Sequence, residues 1–175
     1  MPIIDSQIKS SMIASVEHKN WIEIIEKAPL PSLSAGPVCR ELANWLKLSS
    51  GELPSLMTPS AIAGLWLLAG DLDASHAISQ DDHSPEGSFW HGVMHRREGD
   101  FSNAKYWFRR VGRHEVFVQL ARTQYGDPYR FVDRCEQAVD PSDPSLMALQ
   151  WLEWQHLFLH CLAIGPLGDS SVDQT

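Results

Sequence analysis

The chain has 175 residues, 43% of them hydrophobic, enough to bury one substantial core and to make a single domain the natural expectation. A formal net charge of −8 argues against nonspecific binding to nucleic acid or to an acidic membrane surface. No apolar segment is long enough to span a bilayer, and the leading MPIIDSQIKS lacks the basic region and apolar run of a signal peptide, so a cytoplasmic location is expected.

Residues 1 to about 10 read as an extended arm. A helix is predicted over about 11–27, with Ile13, Val16, Trp21, Ile24 and Ile25 as its buried side, and Pro29 and Pro31 stop it. After the loop PLPSLSAGP, the helical spacing of Val38, Leu42, Trp45 and Leu46 predicts a helix over about 37–48; LSSGELPSLM then reads as a break. Beyond it, Thr58-Pro59, Ser84-Pro85, Asp127-Pro128 and Asp143-Pro144 each place a capping side chain before a proline suited to the first helical turn. No segment shows sustained period-two alternation, and the fold class is therefore all-α, with about seven or eight helices and no sheet. The last helix, about 144–163, is apolar nearly all round, as a helix in the middle of a fold is. The domain is expected to cover 1–165, followed by a flexible tail at 166–175.

Three Gly-Asp corners, Gly70-Asp71, Gly99-Asp100 and Gly126-Asp127, are spaced 29 and 27 residues apart. Each suits the end of one helix and the cap of the next, which predicts hairpins over 59–69/71–80, 86–98/100–111 and 114–125/127–139. Gly92, Gly99, Asp100, Phe101, Ala104 and Phe108 stand in the spacing of a tetratricopeptide motif's small residue, turn, helix-B alanine and aromatic, and the unit at about 85–118 resembles that family. The resemblance implies a right-handed stack of αα-hairpins acting as a scaffold or peptide-binding module; a compact helical bundle is the alternative. The repeat is shorter than the family's 34 residues, and His91 stands where the family has an apolar residue. The string from Gly87 to Gly112 also resembles a group of short microbial and fungal proteins with no assigned activity, and that likeness implies no function.

The chemistry-bearing residues concentrate in and around this unit. His91, His95 and Glu98 line up at i, i+4, i+7, and Glu153, His156 and His160 at i, i+3, i+7 likewise put two imidazoles and a carboxylate on one side of the last helix, with Gln150 beside them. Facing helices with such spacing can converge on a divalent metal ion, for which His91, His95, Glu153, His156 and His160 are the candidate ligands. Without metal, His76, His91, His95 and Glu98 are candidate acid–base groups, since imidazole titrates near neutral pH. Trp90, Arg96, Arg97 and Arg110 are candidate ligand-binding groups for a small anionic molecule, which guanidinium grips in a fork. Six of the fourteen Lys and Arg fall within residues 96–113, and of these Lys105, Arg109 and Arg113 read as a solvated face. The pocket is expected between helices 59–80, 86–98 and 144–163. Cys39, Cys135 and Cys161 are widely spaced and fit reduced core thiols, and no nucleophile motif or phosphate loop is present. Exposed apolar surface on a short helical stack would also suit a homodimer.

Overall fold

The computed structural model describes residues 20–164 and, before them, Ser6 and Ser10. Ten helices and no strand are found among the described residues: α1 Asn20–Lys27, α2 Arg40–Leu48, α3 Leu53–Leu56, α4 Pro59–Ala69, α5 Leu72–Ser79, α6 Pro85–Glu98, α7 Phe101–Val111, α8 Glu115–Leu120, α9 Pro128–Gln137 and α10 Pro144–Ile164. The all-α class therefore holds, with more helices than the sequence suggests. The four-residue α3 lies inside the expected break, and the helix expected over 114–125 is shorter than expected, stopping at Leu120. Of the expected extended arm only Ser6 and Ser10 are described, and both are helical; the first half of the first helix and the tail lie outside the described residues. No helix among those described is long and apolar enough to cross a membrane.

Capping fixes where the helices begin. Thr58, Ser84, Asp127 and Asp143 all accept backbone N–H groups of the first turn behind them, which satisfies donors that have no intrahelical partner. Two corners are built alike. Gly70 and Gly99 take left-handed conformations, φ 83° and 85°, and Asp71 and Asp100 then cap α5 and α7 by accepting from Ala74 and Asn103. At the third corner Gly126 is also left-handed, but residues 121–126 separate α8 from the Asp127 cap, so no tight corner joins them.

Helix α4 packs against α2, α5, α6 and α10, while α6 packs against α4, α5 and α7. These two helices hold the centre. Gly64 of α4 makes their close approach possible, since a Cβ there would lie 2.6 Å from Trp90 Cζ2. The Trp154 indole N–H donates to the Gly64 carbonyl at 2.7 Å, and Trp151, Trp154 and Phe158 stack along α10. Every residue of α6 from Gly87 to Arg97 is buried, so its polar groups must find partners inside the protein.

Arg96 finds the strongest of these partners. Its Nη1 donates to Glu153 Oε1 at 3.0 Å and Nη2 to Glu153 Oε2, and both side chains are fully buried. The Tyr125 hydroxyl donates to Glu153 at 2.6 Å, the Arg96 guanidinium lies 4.6 Å from the Phe131 ring centroid, and Gln150 accepts from Arg96 at 3.4 Å. Gln150 in turn donates to the Pro31 and Ser32 carbonyls. Burial opposes the Arg96 charge, but the adjoining Glu153 carboxylate outweighs it and raises the pKa; burial, then Glu153, raises that of Tyr125.

Removing one partner of such a pair leaves an uncompensated charge. Glu153→Ala is expected to cost about 3–5 kcal/mol in urea unfolding, and Arg96→Met with Glu153→Leu to recover most of that loss. Equal stability of Glu153→Ala and the parent would contradict this account.

Candidate metal centre

Helix α6 carries His91 and His95 one turn apart, and α5 sets His76 against them. The His76 ring lies edge-on to His91 at 4.7 Å between centroids and at 5.7 Å from His95, while His91 and His95 stack at 4.8 Å. Each imidazole offers one nitrogen, and the three nitrogens lie within 4.8 Å of one another. Three nitrogen ligands on a tetrahedral zinc ion are about 3.3 Å apart, given Zn–N bonds of about 2.0 Å. The observed spacing exceeds that by at most about 1.5 Å.

The third wall is α7 rather than the C-terminal helix expected from the sequence. Trp107 stacks on His91 at 3.8 Å with the ring planes 11° apart, and the exposed Arg110 lies 5.1 Å from the Trp107 ring. Asn103 Nδ2 is 3.0 Å from His95 Nε2. Glu98 Oε2 lies 3.0 Å from His95 Nδ1, the arrangement in which a carboxylate holds one imidazole proton and leaves the other nitrogen with its lone pair. His91 and His95 are 3% and 9% exposed, whereas half-buried His76 opens the group to solvent.

Burial, then the neighbouring His95 and His76, pushes the His91 imidazole down to about 4. Burial lowers His95 too, against the pull of Glu98. A neutral imidazole is the form that ligates a metal. His91 Nδ1 is also buried without a hydrogen-bond partner among the described residues. Leaving such an atom unsatisfied costs about 1–3 kcal/mol.

The candidate metal ligands separate instead of forming one centre. His91 and His95 join His76, but Glu153 is committed to Arg96 and Tyr125, and His156 Nδ1 lies 2.9 Å from Gln119 Oε1. The reason is packing: α10 lies on α4 and α8, whereas the histidines of α6 meet α5 and α7. His160 belongs to a second group, in which Glu86 Oε1 lies 3.1 Å from His160 Nε2 and 3.2 Å from His114 Nε2. There the Val116 N–H donates to His114 Nδ1, so the His114 proton sits on Nε2 and faces Glu86. The hydrogen bond from His114 holds Glu86 down at about 2, against burial. With its lone pair spent on the α8 cap, His114 has none to offer an ion beside Glu86.

Two other expectations change. Trp90 is core, packed on Gly64 and Trp154, and Arg96 is neutralised inside the protein, so neither faces a ligand at the histidines. Asn103 escaped the sequence analysis. Its place eight residues after His95, across a tight corner, is the only signal that could have found it. The thiols are unpaired, and burial raises Cys135 and Cys161, in keeping with core cysteines.

In the metal-free protein, His91 binds its proton near pH 4 when folded and near 6.5 when unfolded. The unfolded state therefore takes up the proton first, and stability falls as pH drops from about 6.5 to 4. His91→Leu should remove that part of the acid sensitivity and leave neutral-pH stability equal or about 1 kcal/mol higher, as read from urea midpoints across pH. A large loss at neutral pH would mean the imidazole is a satisfied core group. No protein-family model matches the chain, and neither a curated protein nor a solved structure is found to match it.

Proposed function

We propose that this protein binds a divalent transition-metal ion through His76, His91 and His95, with zinc the best fit. Two observations carry the reading: three imidazole nitrogens converge, two of them from a buried helix, and His91 Nδ1 has no hydrogen-bond partner among the described residues. Neutral imidazoles suit zinc and its first-row neighbours better than magnesium or calcium, which take oxygen ligands. Three protein ligands are the number found at catalytic zinc, where a fourth position stays open for water or substrate. A zinc-bound water ionises near pH 7 and would supply a nucleophile, and a small anion would compete for the same position. Glu98 would orient His95, and Asn103, now within reach of Nε2, would turn to the fourth ligand.

A second reading is favoured by the paired corners. Helices α4/α5 and α6/α7 turn on the same left-handed glycine and aspartate cap, which supports a stack of tetratricopeptide-like hairpins serving as a peptide-binding scaffold. Against it stands α6, buried from Gly87 to Arg97, which leaves that helix no face to offer a peptide.

Calorimetric titration of chelator-treated, dialysed protein with zinc is expected to give one ion per chain. His76→Ala and His91→Ala should abolish stoichiometric binding, and Glu98→Gln should weaken it about 10–100-fold, the usual cost of losing a carboxylate behind a ligating imidazole. His156→Ala should bind as the parent does. No zinc uptake by the parent, or equal loss in His156→Ala, would reject the centre.

A further inference from the structure

We propose that Arg97 anchors a second binding site, for a small oxyanion, in a cavity of about 280 Å³ between the 33–35 loop, the α6–α7 corner and the end of α9. It follows His95 by two residues, about 200° around the helix, and so stands apart from the three histidines.

Arg97 is only 2% exposed, yet among the described residues only its Nη1 has a hydrogen-bond partner, the Leu67 carbonyl near the end of α4. Nε is buried without a partner, and no carboxylate among the described residues forms an ion pair with this guanidinium. Arg96, beside it in sequence, is neutralised by Glu153. Guanidinium is a cation at neutral pH and offers donors only. A helix-end carbonyl contributes a partial charge only. Buried charges are normally paired, and a lone one is costly.

The cavity is where the missing anion fits. Two carboxylates border it, but Glu98 Oε2 is held by His95 and Glu136 Oε2 lies 4.0 Å from Lys105 Nζ. Ser34 and Phe101 complete the walls beside Arg97. Guanidinium recognises phosphate and carboxylate oxygens alike, so the class of ligand for the unpartnered Nε and its guanidinium is a phosphate or a small carboxylate.

The test uses the full chain, stripped of metal so that the three-histidine centre does not contribute. Its thermal unfolding is followed in sodium phosphate and in sodium acetate, each against sodium chloride at matched ionic strength and pH. The expected result is a saturable rise in Tm with one of the two anions, and the responding anion identifies the chemistry. Arg97→Gln should abolish that rise. Ala138→Glu, which places a carboxylate in the same cavity, should raise the Tm in chloride and weaken the response to the anion at least tenfold. Should Arg97→Gln not fold, Ala138→Glu decides alone. A wild-type Tm indifferent to both anions, or an undiminished response in Ala138→Glu, would overturn the proposal.

Discussion

The burial of α6, a helix rich in charge, is the constraint on which the rest depends. Eleven consecutive buried residues, Gly87 to Arg97, include two histidines and two arginines, and none can turn to water for solvation. Arg96 resolves its share by pairing with Glu153 of α10, and Tyr125, Phe131 and Gln150 close around the pair. Gln150 carries the network on to the Pro31 and Ser32 carbonyls, so one ion pair ties α6 to α10 and, through Gln150, to the loop between α1 and α2. This also sets the rotation of α6. With Arg96 aimed at α10, His91 and His95 are left facing α5 and α7.

That orientation gives the histidines their chemistry. A pair of imidazoles one turn apart on an exposed helix would be solvated and mobile, whereas here the backbone is held by packing on both neighbours and Trp107 covers one ring. Desolvation keeps the rings neutral, and Glu98 fixes the tautomer of one of them. The Glu86–His114–His160 group shows how much depends on proton placement. It sets a carboxylate and two imidazoles as close together as the three histidines are, but the α8 cap uses the His114 lone pair. One group is left with an unsatisfied nitrogen, and the other closes on itself.

Much of the helical scaffold was legible because it rests on local rules. Ser-Pro, Thr-Pro and Asp-Pro pairs announce caps, and left-handed glycines announce corners, whatever lies around them. The third corner misled because a Gly-Asp pair specifies a turn and a cap but not the length of the helix before it; α8 stops at Leu120, and Tyr125, five residues on, donates to Glu153. His76, His91, His95 and Glu98 were legible as reactive types on the correct helices. Which of them meet was not, since helical spacing says that His91, His95 and Glu98 share a face but not which helix that face meets. Glu153 and Arg96 looked like a ligand and an anion grip, and only the packing of α10 shows that they satisfy each other.

X-ray absorption at the zinc edge of the loaded protein tests the central claim most directly, since it reads the ligands rather than the uptake. The account predicts a low-coordinate shell of nitrogen and oxygen at about 2.0 Å, with outer-shell scattering from three imidazoles that falls to two in His76→Ala loaded at excess metal. A shell of sulfur at about 2.3 Å, or one with fewer than two imidazoles in the parent protein, would contradict it.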